Sequence, residues 1–189
     1  MQAYLLSALV ASSLLATSLS GCGGGGGSDS DSSFSGAASV SLDLSPSSID
    51  TGDRTLVQLW VGDVHDNGVA IKLRYPSGLS YVTGTAKVVV DEDEVSIKPT
   101  VNVRTADRST TYLVFFVPQK LFRESDEPYQ GQARLIQLQL VGKTLVQEGL
   151  VEVDVDVNDA RVADTEEFTV AKPEFVAADQ QSITVLVGN

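Results

Sequence analysis

One cysteine and one histidine occur in 189 residues. No internal disulfide can form, and a Cys/His metal cluster or a thiol enzyme is excluded. A Ser-His-Asp triad has only His65 to draw on, and no Gly-x-Ser-x-Gly turn is present. Cationic residues are absent from the first part of the chain, where the first Lys or Arg is Arg54 and residues 1–21 carry no charged side chain. The formal net charge of −12 therefore lies entirely beyond them. An acidic balance of this size argues against nucleic acid and anionic lipid surfaces as partners. Helical periodicity is missing too: after the first apolar run, no window longer than about ten residues repeats at helical spacing.

The first feature present is an apolar run, Tyr4 to Thr17 (YLLSALVASSLLAT). It has the length of a signal-peptide core and is short for a membrane span. Small residues then lead to Leu19-Ser20-Gly21-Cys22, which holds the chain's single cysteine. This tetrad resembles the lipobox of bacterial lipoproteins. The resemblance implies cleavage before Cys22, with diacylglycerol carried on its sulfur and acylation of the new N-terminus. It also accounts for a lone cysteine in an exported protein, because an acylated thiol is no longer reactive. Several acyl chains on one residue hold a membrane firmly, at about 0.8 kcal/mol per buried CH₂. The departure from the pattern is Met1-Gln2-Ala3, which has no basic residue. A plain secretory signal or an apolar first helix is the competing reading. Gly23 stands where Asp would favour inner-membrane retention in enterobacteria, so the expected site is the outer membrane.

Gly23 to Gly27 is unbroken glycine, and Ser28-Asp29-Ser30-Asp31-Ser32-Ser33 continues it. Nothing here can bury apolar area against the entropy of ordering, so this stretch is expected to be a flexible tether of about 20 Å reach. The glycine run precedes no strand–helix unit and has no Lys-Ser/Thr after it, which removes a phosphate-cradle reading. The expected organisation is a lipoprotein signal peptide at 1–21, the lipidated cysteine and tether at 22–35, and one domain at 36–189.

Strand signals dominate that domain. Ala38 to Leu44 alternates, and Thr55 to Val61 places Val57, Leu59 and Val61 on one face and Trp60 on the other. Asn67-Gly68 is a hairpin signal. Val69 to Tyr75 alternates most cleanly, with Lys72 and Arg74 opposite Ile71, Leu73 and Tyr75. A break is expected at Gly84, a hairpin tip at Asp91-Glu92-Asp93-Glu94 and an edge near Pro99. Thr110 to Val117 (TTYLVFFV) is the expected central strand, covered on both faces. Pro118 to Gly131 is a long polar loop that Leu121-Phe122 could pin. Ala133 to Val141, Leu150 to Val157, Phe168 to Val170 and Ser182 to Val187 complete the set. The fold class is all-β, an antiparallel sandwich of about eight to ten strands.

Leu44-Ser45-Pro46, Thr51-Gly52-Asp53, Val57–Val61, the alternating strand after Gly68 and Tyr75-Pro76-Ser77-Gly78-Leu79 together resemble the opening of immunoglobulin-like bacterial surface domains, cohesin-like modules among them. The resemblance implies an immunoglobulin-like sandwich. The Cys–Trp–Cys core of antibody domains is absent, so Trp60 is not that landmark.

Candidate sites are few. Asp154, Asp156, Asn158, Asp159 and Asp164 are rich in oxygen ligands of the kind Ca²⁺ takes. The 154/156/158 spacing imitates an EF-hand opening, but Asp159 occupies the glycine position and Thr165 the terminal glutamate position. The competing reading is a solvated strand face running into a turn. If calcium binds, Asn158, Asp159 and Asp164 are the expected ligands, because a turn converges side chains and a strand spreads them. No other cofactor is implied. Asp91 to Glu94 and His65 with Asp63 and Asp66 are lesser metal candidates, better read as a soluble hairpin tip and a polar loop. Tyr75, Tyr81, Tyr112 and Tyr129 could line a sugar-binding face; Tyr75 and Tyr112 are expected in the core and Tyr129 in the open. The expected role is a non-catalytic, envelope-anchored lipoprotein whose sandwich binds a protein or a glycan, or serves structurally. The alternatives are a subunit of an envelope or surface-polymer assembly and a carbohydrate-active enzyme.

Overall fold

A computed structural model describes residues 38–64, 68–123, 129–157 and 173–188. Twelve strands in two sheets are present among them. In the first sheet, β1 (Ser39–Ser45) pairs β3 (Arg54–Gly62), which pairs β10 (Arg134–Gly142). The other side of β10 is shared by β5 (Leu79–Tyr81) and β6 (Lys87–Val90), and β7 (Asp93–Ser96) closes that edge. The second sheet runs β2 (Ser48–Asp50), β12 (Phe175–Leu186), β11 (Val146–Asp156), β4 (Val69–Pro76), β9 (Thr110–Val117), β8 (Val101–Arg104). All pairs are antiparallel except β2 with β12.

Period-two alternation builds these strands, because one face of each must meet the other sheet. From the first sheet Val57, Leu59, Val61, Ile136, Leu138 and Leu140 point inward and are fully buried. Leu73, Ile71, Leu113, Val117, Val151 and Val153 meet them from the second. Each such side chain stabilises the fold by about 1.5–3 kcal/mol relative to exposure. Tyr75 and Phe115 are the largest buried side chains of this interior, with Phe122.

The break falls at Gly84, whose φ of 82° suits glycine. The acidic hairpin turns on Asp91 and Glu92 alone, while Asp93 and Glu94 already belong to β7. Pro99 precedes β8, an edge strand. One expectation needs correction. The TTYLVFFV segment is not central: β9 lies next to the edge, between β4 and β8. Its outer face is covered by neighbouring side chains, with Val114 buried and Tyr112 and Phe116 half-buried. After it, Gln119–Phe122 form a 3₁₀ turn that drives Phe122 into the core and pins the start of the following loop, as expected. The expected strand at 168–170 lies outside the described residues, as do the signal, lipobox and tether.

Candidate functional site

The carboxylates singled out for calcium divide. Asn158, Asp159 and Asp164 lie outside the described residues, as do His65 and Asp66. Asp154 and Asp156 are buried, at 5% and 6% exposure, so the solvated strand face expected for them is not found. The cause is β4. In the β11–β4 register Asp154 stands opposite Lys72 and Glu152 opposite Arg74. Arg74 Nη2 donates to Asp154 at 3.1 Å, Arg74 Nη1 reaches Glu152 at 3.4 Å, and Lys72 Nζ lies 3.9 Å from Asp154. The Lys72 ammonium also sits 5.4 Å above the Tyr112 ring and 5.6 Å above that of Phe175. Asp156 accepts the Glu174 backbone N–H at 2.7 Å, holding the end of β11 to the approach to β12. Lys72, Arg74, Glu152 and Asp154 form a cross-strand ion-pair ladder. Among the described residues, no three His, Cys, Asp or Glu side chains gather to hold a metal.

The four tyrosines separate as well. Tyr75 is in the interior as expected, at 1% exposure. Tyr112 is not; it lies half-buried on the outer face of the second sheet beneath Lys72. Tyr129 is half-buried rather than open. Its hydroxyl accepts the Val64 N–H and donates to the Gln132 carbonyl, both at 3.2 Å, and its ring packs 6.2 Å from that of Phe122. Burial pushes the Tyr129 hydroxyl pKa above its ordinary value. Tyr81 alone joins Tyr75, where β5 faces β8 and β9.

A face suited to a partner is the outer side of the first sheet. Register aligns Ser41, Trp60, Leu135, Val89 and Glu94 in one row across β1, β3, β10, β6 and β7. The next row is Asp43, Gln58, Gln137, Lys87 and Ser96, and Leu56 lies opposite Gln139 in the row after. Trp60 is 46% exposed on β3, an interior strand of its sheet. Around it are half-buried Leu56, Gln58, Leu135 and Gln137, none of them charged. Charge is confined to the rim, at Asp43, Arg54 and the Lys87–Glu94 pair. Alternation put Trp60 on the outer face correctly. It could not reveal that β10 and β6 would line up Leu135 and Val89 beside it.

This is a two-sheet, antiparallel-dominated sandwich of the immunoglobulin-like kind. No protein-family model matches the chain, and no curated protein matches it. Solved structures do. AvmM, which catalyses macrocyclization in alchivemycin A biosynthesis, is 9% identical over 82% of this chain and 91% of its own, with a TM-score of 0.50. A cohesin module from a Clostridium perfringens family 33 glycoside hydrolase is 9% identical over 81% of this chain and 99% of its own, at a TM-score of 0.37. A type II cohesin domain from the cellulosome of Acetivibrio cellulolyticus is 10% identical over 74% of this chain and 95% of its own, at 0.31. At such identities the likeness is one of fold.

Proposed function

We propose that the chain is a lipid-anchored protein of the bacterial envelope, held through Cys22, whose sandwich is a non-catalytic binding module. Its binding face is the outer side of the first sheet, and its partner there is a protein. The observation that carries this is Trp60. A half-exposed tryptophan on an interior strand, inside an uncharged patch with a charged rim, has the make-up of an interface centre. Burying that ring where it stands would serve the fold nothing, because the core lies on the opposite side of β3. The Leu19–Cys22 tetrad supports the anchor, and Gly23 supports the outer membrane.

Two measurements test it. Palmitate label should enter the chain in envelope-expressing cells and vanish in Cys22→Ser; label that persists in the variant removes the anchor. A photo-crosslinking residue at position 60 should give one discrete protein adduct in cells, while the same residue at position 112, on the opposite sheet, gives none. Equal yields from both positions would remove the face. Several stoichiometric adducts from both faces would instead favour the assembly-subunit alternative.

A further inference from the structure

β8 is the edge strand of the second sheet, beside β9. On the side of β10 away from β3, only the three residues of β5 cover the end near Gly142. Asn102 and Arg104 stand opposite Leu113 and Thr111 in the β8–β9 register, so they project on the core side of their sheet. Yet both are exposed. The result is a cleft of about 200 Å³ lined by Tyr75, Leu79, Tyr81, Asn102, Arg104 and Thr111.

Its chemistry is specific. Arg104 makes no ion pair with any described residue. Tyr75 is 1% exposed and brings its phenol to the buried end of the cleft. Desolvation raises the Tyr75 pKa to about 12, so the hydroxyl remains a neutral donor at any physiological pH. Thr111 and Asn102 add a hydroxyl and an amide. The half-buried Tyr81 ring supplies an apolar wall.

We propose that this cleft binds a single carboxylate-bearing sugar residue, a uronic acid, with Arg104 on the carboxylate and Asn102, Thr111 and Tyr75 on the ring hydroxyls. A guanidinium fork matches a carboxylate in two parallel hydrogen bonds. The remaining donors and acceptors suit a polyhydroxylated ring better than a hydrocarbon. The volume lies below the roughly 300–1,000 Å³ of pockets for drug-sized ligands, which restricts the occupant to about one ring. The chain's net charge of −12 opposes a polyanionic strand and favours one acid group at an oligosaccharide end. This site lies apart from the Trp60 face and does not depend on it.

The test is calorimetric titration of the full chain with glucuronic and galacturonic acid, with glucose and an N-acetyl amino acid as comparison arms. A uronic acid should bind with a Kd of about 1 mM or tighter. Glucose, lacking the carboxylate, should bind at least about tenfold more weakly, and Arg104→Gln should cost the uronic acid about 10- to 100-fold. Asn102→Ala should cost less, and Tyr75→Phe should weaken binding without closing the cleft. Arg104 and Asn102 are exposed, so the first two variants keep the test decisive even if Tyr75→Phe does not fold. No uronate binding at these concentrations, or binding indifferent to Arg104→Gln, overturns the proposal. An N-acetyl amino acid that binds where the uronic acids do not overturns the sugar class; Arg104 would then be an inward charge that only blunts the β8 edge.

Discussion

The Asp179 carboxylate on β12 accepts the backbone N–H of Leu42 on β1 at 2.8 Å, tying the two sheets together at one seam of the sandwich. β1 is an edge strand with only β3 beside it in its sheet, so its outer backbone groups need partners from elsewhere. The register of β12 against β11 shifts between Val153/Asp179 and Asp154/Ala177, leaving Ala178 as the extra residue. That bulge stands directly beside Asp179, at the point where the carboxylate reaches across.

Asp179→Ala should therefore destabilise the fold by about 1–2 kcal/mol, the value of a partly buried hydrogen bond to a charged acceptor. In a domain of this size the melting temperature should fall by about 2–8 °C. Hydrogen exchange at Leu42 should speed up selectively. Asp179→Asn retains an acceptor and should lose less. Unchanged Leu42 protection in the alanine variant would show that the bond is not made in solution.

Gly68 directly precedes β4 with φ at 119°, and a Cβ there would meet the Val117 carbonyl oxygen at 2.3 Å. Two penalties coincide: a backbone region that side chains avoid, and a clash with an immovable neighbouring strand. Gly68→Ala should cost about 1–3 kcal/mol from the conformation alone, and more from the displaced β9. Gly84, with φ at 82° and nothing within 4 Å, is the control. Ala there should suffer only the conformational penalty. Urea unfolding of both variants gives the comparison.

Local order was legible in the sequence where pattern and structure share a period. Val69, Ile71, Leu73 and Tyr75 are all buried on one face of β4, as their alternation requires. Partnership was not legible. Nothing at Arg134–Gly142 announces that it separates β3 from β5 and β6, or that β2 runs parallel to β12. The surroundings of Asp154 and Tyr129 were hidden for the same reason. Asp154 looked solvated because alternation assigns it to the outer face; only the register with β4 brings Lys72 and Arg74 over it. Tyr129 looked exposed because its neighbours in sequence are polar, while its real neighbours are Val64, Gln132 and Phe122. Arg104 and Asn102 carried no signal at all, because the cleft arises only where β5 comes to face β8 and β9.

The Arg74–Asp154 pair offers a test of how far that ladder is structural. Its carboxylate side chain is 7% exposed and its guanidinium 34%, so the pair is only partly screened. Arg74→Met removes the donor but leaves a buried charge beside Lys72, and should cost about 1–3 kcal/mol. Adding Asp154→Leu should recover part of that loss. A double-mutant cycle should give a coupling of about 0.5–3 kcal/mol, depending weakly on salt. Zero coupling would mean that Lys72 alone satisfies Asp154.

Alkaline titration should isolate Tyr75. Burial raises its pKa to about 12, against which the Tyr81 N–H and the Arg104 charge act only in part. Tyr75 thus binds its proton more tightly in the folded chain than in the unfolded chain, where the value is about 10. The stability this contributes is complete below pH 10 and is lost as pH rises through 12. Ultraviolet difference spectra should show the exposed phenols ionising first and one late phenol ionising together with unfolding. In Tyr75→Phe the late step should disappear, and stability between pH 10 and 12 should become flatter than in the parent chain. A late phenol that persists in that variant would assign the step to Tyr129, the other tyrosine whose pKa burial raises.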